Sequence, residues 1–271
     1  VLPEGVITLA AAGANENAAL TGDLDITEGL IVQGRGASRS VVDGSGAVTG
    51  DRVFHVLQSS GGYITADFVD LAIQGGAVIG SGGGILAACR ADVVVNRSNI
   101  LENFGSLGGG LAVNGTGCAA GTLPRMVVYE SAVYRNTANN SLTGAGIDHF
   151  GGGTLNVINS TIAENVNSGT STTAVGGISI SSNTPNIATL RSSTIIDNSA
   201  PNATAHEGVG LRIGSAATAT LIDNLVGFNT FNGGTANCSG SGASTTLSSG
   251  GGNVYSTGTV TCPVTASDST G

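Results

Sequence analysis

Apolar residues alternate with polar ones in short runs along the chain, and the runs recur about every thirty residues. Val93 and Val95, Met126 and Val128, Leu155 and Val157, Ala188 and Leu190, and Ala219 and Leu221 occupy equivalent places in five such runs. Alternation over so short a stretch, bounded by Gly, Asn and Ser, predicts half-buried strands. Five residues after the second apolar position of each run stand Ile100, Val133, Ile162, Ile195 and Val226, which form a further apolar column. Each repeat is expected to hold about three short strands and no helix.

Two motifs run in phase with these columns. The first closes on Asn in Ser98-Asn-Ile-Leu-Glu-Asn103, Ser131-Ala-Val-Tyr-Arg-Asn136, Ser160-Thr-Ile-Ala-Glu-Asn165, Ser193-Thr-Ile-Ile-Asp-Asn198 and Asn224-Leu-Val-Gly-Phe-Asn229. The second is glycine-rich: Gly82-Gly-Gly-Ile85, Gly108-Gly-Gly-Leu111, Gly144-Ala-Gly-Ile147, Val175-Gly-Gly-Ile178 and Gly208-Val-Gly-Leu211. A thirty-residue unit of three strands cannot bury its own apolar side. Stacking each strand on its counterpart in the next coil, about 4.8 Å away, solves this and predicts an all-β parallel solenoid. Asn103, Asn136, Asn165, Asn198 and Asn229 then become a stacked asparagine ladder at a corner, and the glycines mark bends where a Cβ would clash. Residues 1–231 are assigned to the solenoid. Residues 232–271, where the repeat fades and two cysteines appear, are assigned to a C-terminal cap.

Composition fits this picture. Among 271 residues there are 45 Gly, and only 10% are charged. The net charge is −9, and all nine basic residues are Arg. Lack of a basic cluster excludes a nucleic-acid partner, and no apolar run is long enough for a transmembrane helix. Without Lys there is no Schiff-base or phosphate-loop chemistry. Cys89, Cys118, Cys238 and Cys262 match no metal-ligand spacing and read as two disulfides of an oxidising compartment, the alternative being four buried thiols. Cys89 and Cys118 lie one repeat apart, placed to join neighbouring coils, while Cys238 and Cys262 would staple the cap.

The paired glycine and asparagine motifs resemble those of extracellular β-helix proteins, the chlamydial polymorphic outer-membrane proteins and, more closely, bacterial CSLREA or choice-of-anchor Q proteins. Val6-Ile-Thr-Leu9, Gly22-Asp-Leu-Asp-Ile-Thr27, Leu30-Ile-Val-Gln-Gly34, Val42-Asp-Gly44 and Asn237-Cys-Ser-Gly240 extend the resemblance over most of the chain. It implies a right-handed single-stranded parallel β-helix, secretion from a bacterium and a role at the cell surface. It supplies no agreed catalytic residues.

Because β-helices also include polysaccharide lyases and glycoside hydrolases, paired carboxylates need attention. The position before the ladder Asn carries Glu102, Arg135, Glu164, Asp197 and Phe228. In register, Glu164 and Asp197 would stand one rung apart, as a catalytic pair or as members of a solvated corner of alternating sign. Arg97 and Glu130 share another column and are placed to pair. Loops that lengthen between the Asn corner and the glycine motif are candidates for a binding edge, with Asn139, Asn140, His206 and Glu207 as its candidate residues. Asp148-His149 and His55 complete the titratable clusters. No cofactor is expected: no metal motif appears, and Ca²⁺ is unsupported by any nonapeptide repeat. The favoured reading is a non-catalytic extracellular structural or adhesive protein that self-associates or binds cell-surface carbohydrate. The alternative is a secreted lyase or hydrolase of the β-helix class.

Overall fold

A computed structural model describes the whole chain except residues 15–16, 58–60, 172, 182–183, 204–207, 241–242 and 258–261. It is a parallel β-solenoid of about eight coils. The chain passes in turn through four sheets, named a to d here in the order in which a coil visits them. One full coil shows the plan: Ile85–Ala87 in sheet a, Ala91–Asn96 in sheet b, Asn99–Leu101 in sheet c and Phe104–Leu107 in sheet d. Sheets a to c hold the three strands expected in each repeat. Sheet d adds a fourth element, in most coils only two residues long, and in an early coil its place follows a single helical turn, Gly46–Thr49.

The apolar columns stack in register. Val93 pairs with Met126, Met126 with Leu155, Leu155 with Ala188 and Ala188 with Ala219, and the column from Val95 to Leu221 runs beside it. Ile100, Val133, Ile162, Ile195 and Val226 form the matching column of sheet c. All these side chains are buried in one continuous core. Full burial of a Val, Leu or Ile contributes about 1.5–3 kcal/mol, so each added coil supplies several such increments against its own chain entropy. Phe54 and Phe68 fill the wider N-terminal part, their ring centroids 4.8 Å apart.

The corners are turned by single residues in the left-handed region. Between sheets b and c these are Asp70, Arg97, Glu130, Asn159, Ser192 and Asp223, with φ from 46° to 56°. Between sheets c and d they are Glu102, Arg135, Glu164, Asp197 and Phe228, with φ from 53° to 55°. A non-glycine residue there costs roughly 1–2 kcal/mol, and from Arg97 onward the Ser or Asn that follows each one offsets it with ladder hydrogen bonds. Asn165 donates its backbone N–H to Asn198 Oδ1 at 3.1 Å and its Nδ2 to the same oxygen at 2.9 Å. The same amide nitrogen reaches back to the carbonyl of Val133 at 3.0 Å. The pattern repeats from Asn103 to Asn229, so each side chain ties three coils together.

A second ladder stands at the other corner. Ser98, Ser131 and Ser160 each donate a backbone N–H to the hydroxyl of the next serine, and Ser193 donates to Asn224 Oδ1. These residues open the repeat motif. They supply acceptors for backbone groups that turn away from the sheets, where an unmet buried N–H is costly.

The glycine motif and the asparagine ladder prove to be one device. A Cβ on the third glycine of the motif would sit 2.9 Å from Asn136 Nδ2 at Gly110, 2.9 Å from Asn165 Nδ2 at Gly146 and 2.5 Å from Asn229 Nδ2 at Gly210. Glycine is required there because the ladder amide and the backbone carbonyl of the next coil, 2.6 Å away at Gly84 and 2.7 Å at Gly110, together occupy the space that a side chain would take.

The segment expected as a separate cap continues the stack. Cys238–Gly240, Thr246–Gly251 and Val254–Tyr255 add one more strand each to sheets a, b and c, with Leu211 opposite Cys238 and Val226 opposite Tyr255. The ladders continue because Asn237 and Asn253 take the next places, Asn253 at the usual interval of 29 residues and Asn237 after only eight. Other segments cap the stack. Thr230–Phe231 and Gly234–Thr235 close sheet d as an antiparallel pair, Ser269–Thr270 adds a last strand to sheet c, and Asp268 ends the serine ladder by accepting the Asn253 N–H at 2.8 Å. Both disulfides form as expected, Cys89–Cys118 with Cα atoms 5.4 Å apart and Cys238–Cys262 at 4.9 Å.

Candidate functional site

The corner carboxylates come first. Thr161–Ala163 and Thr194–Ile196 pair in register, so Glu164 and Asp197 stand on adjacent rungs of one column, as the repeat predicted. Both project from an exposed corner. Glu164 is bonded to Arg135 Nε at 2.8 Å, with about half of its side chain exposed. From Glu102 through Arg135 to Glu164 the exposed column alternates in sign, and Asp197 then repeats the negative charge. In the neighbouring column Arg97 pairs with Asp70 on the preceding coil, through Nε and Nη2 at 2.8 Å each, rather than with Glu130 as expected. The fork of a guanidinium matches both oxygens of one carboxylate, and Asp70 offers that geometry. This partner holds Asp70 below the usual carboxylate range.

On the binding edge, Asn139 and Asn140 are exposed. The carbonyl of Asn140 accepts Nδ2 of the buried Asn167 at 2.9 Å, which pins its loop to the next one. His206 and Glu207 lie outside the described residues.

The densest buried chemistry lies on sheet a. Alternate residues of its strands fill the core, and the residues between them form an outward column: Asp25, His55, Leu86, Ala112, Asp148, Ser179, Arg212 and Ser239, each paired with the next. The segments entering the sheet fold back over this column, and Leu86, Ala112, Asp148 and Ser179 are all buried.

Two polar clusters are enclosed there. In the middle, Gly144 N–H donates to Asp148 Oδ1 at 3.3 Å. Burial pushes the Asp148 carboxyl up to about 8, with Gly144, Arg212 and Ser179 acting in the opposite direction. The next residue, His149, points into the core between Val113 and Ile180. Neither ring nitrogen finds a hydrogen-bond partner, and burial drives the imidazole down to about 3.

Near the N-terminus, Asp23, Asp25, Asp51, Arg52 and His55 meet. Asp23 and Asp25 are two residues apart and so face one side of the strand, and His55 stands opposite Asp25 on the next rung. Arg52 Nη1 donates to Asp23 Oδ2 at 2.8 Å and lies 3.6 Å from Asp51 Oδ1. Burial raises Asp23 to about 7 against the opposing charge of Arg52, with Asp51 and Asp25 adding to the rise. Burial, then the charge of Arg52, lowers His55 to about 4. Ligand atoms of Asp23, Asp25 and His55 all lie within 4.8 Å of one another. Sequence spacing missed this cluster because His55 is thirty residues from Asp25, in the part of the chain where the repeat is least regular. The Asp-x-Asp pair of Gly22-Asp-Leu-Asp-Ile-Thr27 was its one local signal.

Two of the larger depressions lie away from this cluster, and a third is bordered by its Asp25. One of about 480 Å³ is walled by Gly115, Thr116, Leu123, Phe150 and Ser181 beside the Cys89–Cys118 bond, and one of about 430 Å³ by Tyr255, Thr257, Val264 and Thr270 near the C-terminus. Their walls carry no carboxylate or imidazole. A third, about 380 Å³, opens at the N-terminal rung among Leu2, Leu24, Leu30, Val32 and Phe54.

Comparison extends no further than this geometry. No protein-family model, no curated protein and no solved structure matches the chain. No helix among the described residues is long and apolar enough to cross a membrane. The two disulfides fit a non-cytoplasmic protein.

Proposed function

We propose that the chain is a non-catalytic structural or adhesive protein of the cell exterior, a rigid rod that acts through its surface. The observation that carries this reading is the use made of its corner charges. Glu164, one of the two candidate carboxylates, is spent on a coil-to-coil contact with Arg135, on an open corner rather than in a cleft. Arg97 and Asp70 make the same kind of contact one corner away. A glycosidase needs two carboxyl groups facing one enclosed sugar, one of them with a raised pKa. The rod itself, eight rungs of about 4.8 Å, spans roughly 40 Å. The resemblance to surface β-helix proteins and the disulfides support secretion.

The partner we favour is a second copy of the chain. Val6, Leu30 and Ile31 are 60%, 46% and 63% exposed on strands that end their sheets among the described residues, and such edges pair readily. Sedimentation of the purified chain over a hundredfold range of concentration should show dimers or longer species, which Ile31→Lys abolishes. A strict monomer that instead binds members of a cell-surface glycan panel would move the role to carbohydrate adhesion. Turnover of any polysaccharide that Glu164→Gln removes would replace the whole reading with the enzymatic one.

A further inference from the structure

The cluster at Asp23, Asp25 and His55 is built from two coils and has unused coordination capacity, independently of the reading just given. Asp23 is 2% exposed. Its Oδ2 is taken by Arg52, while its Oδ1 is buried and meets no donor. His55 Nδ1 is likewise buried without a hydrogen bond and lies 3.4 Å from Asp25 Oδ1. The other oxygen of Asp25 accepts the Ala19 N–H at 2.8 Å, which fixes the orientation of that carboxylate. From these observations we propose that Asp23 Oδ1, Asp25 Oδ1 and His55 Nδ1 bind one divalent cation of the zinc class.

The dimensions suit such an ion. Metal–ligand bonds of about 2.1 Å in tetrahedral geometry place neighbouring ligand atoms roughly 3.4 Å apart, which is the His55–Asp25 separation. The remaining pairs, within 4.8 Å, close by rotation of short side chains. One imidazole with two carboxylates suits zinc or cobalt. Calcium takes six to eight oxygens and magnesium keeps most of its water. Charge argues the same way, since Asp23, Asp25 and Asp51 gather around Arg52 and a divalent ion would add positive charge among them. Arg52 also holds Asp23 from behind, as outer partners of metal ligands commonly do. The ion would clamp the coil of Leu24–Ile26 to the next one, of Phe54–Val56. Three protein ligands leave one coordination position for water.

The test uses the full chain after dialysis against a chelator. Titration calorimetry with Zn²⁺ should give one site per chain. Co²⁺ should give the visible absorption of a tetrahedral centre, and Zn²⁺ at a hundredfold excess over its Kd should raise Tm by roughly 5 °C. Asp25→Asn and His55→Ala should each weaken Zn²⁺ binding at least tenfold, whereas His206→Ala and Glu164→Gln should leave it unchanged. Circular dichroism establishes that each variant is folded, and Asp23→Asn, which keeps the side-chain shape, replaces any that is not. The proposal is overturned if the wild-type chain binds neither Zn²⁺ nor Co²⁺ at millimolar concentration, or if binding follows His206 and survives the changes at residues 25 and 55.

Discussion

Replacing Asn165 by Ala tests the ladder at its centre. The side chain makes four buried contacts: Nδ2 to Val133 O at 3.0 Å and to Asn198 Oδ1 at 2.9 Å, and Oδ1 from the N–H and Nδ2 of Asn136, both at 3.0 Å. After truncation Asn136 Nδ2 keeps the carbonyls of Ile100 and Tyr134, and Asn198 Oδ1 keeps the Asn165 N–H. The Asn136 N–H is left with nothing. Losing three bonds worth about 1 kcal/mol each, and burying the donor of the fourth unmet at about 1–3 kcal/mol, gives a loss of about 4–6 kcal/mol. That is a large share of the roughly 5–15 kcal/mol that holds a domain folded, and it corresponds to a Tm lower by about 10 °C. Asn165→Asp should be worse, because an oxygen then faces Val133 O and Asn198 Oδ1 where a donor stood. Urea and thermal unfolding followed by circular dichroism measure both. A loss below about 1 kcal/mol for Asn165→Ala, or an Asp variant as stable as the Ala variant, would refute the account of the ladder.

Other expectations follow from the same geometry. Gly146→Ala should destabilise by about 1–3 kcal/mol, because its Cβ would meet Asn165 Nδ2 at 2.9 Å and the Gly177 carbonyl at 3.0 Å; unfolding with and without Asn165→Ala should show the two losses to be far from additive. Replacing Cys89 and Cys118 by Ser opens a 29-residue separation and should cost about 3–4 kcal/mol, read from unfolding of that variant beside the wild type. The neighbours Asp148 and His149 should shape stability against pH in opposite senses. Asp148, raised from 3.8 to about 8, contributes fully below pH 3.8 and loses that contribution as pH rises to 8. His149, lowered from 6.5 to about 3, contributes fully above pH 6.5 and loses it as pH falls to 3. Their slopes cancel between pH 3.8 and 6.5, and from 6.5 to 8 stability should fall by about 2 kcal/mol. Urea unfolding at half-unit intervals should show that fall in the wild type and not in Asp148→Asn; equal curves would refute it.

What could be read from the sequence depended on whether contacts repeat. Asn103 to Asn229 and Ser98 to Ser193 recur at nearly constant intervals, so their columns, the core and the adjacency of Glu164 and Asp197 were legible before any coordinates. The same alignment placed Arg97 correctly and misjudged its partner, because a column offers a neighbour on each side and side-chain geometry chooses between Asp70 and Glu130. The extra coil after residue 231 was hidden by its spacing. Asn237 follows Asn229 by eight residues, since the Thr230–Thr235 hairpin returns the chain to the ladder directly. The Asp23–His55 cluster depends on a single pairing of two irregular coils and on a loop that closes over it through Ala19, and neither leaves a period in the sequence.

The backbone N–H groups of both ladders all point one way, each to the oxygen of the following coil, while Asn Nδ2 and Ser Oγ atoms also donate back to carbonyls of the preceding one. Aligned amides of this kind add as dipoles, much as peptide units do along a helix, so the end toward the C-terminus is the electropositive one. Asp268 sits there and accepts from Asn253, Ser249 and Thr265, which outweighs burial and holds its carboxyl well below the usual range. The rod therefore has a head and a tail that are electrically distinct. A chain lengthened by design would have to receive its new coils ahead of Asp268, because that carboxylate accepts from the stack and has no proton to pass on.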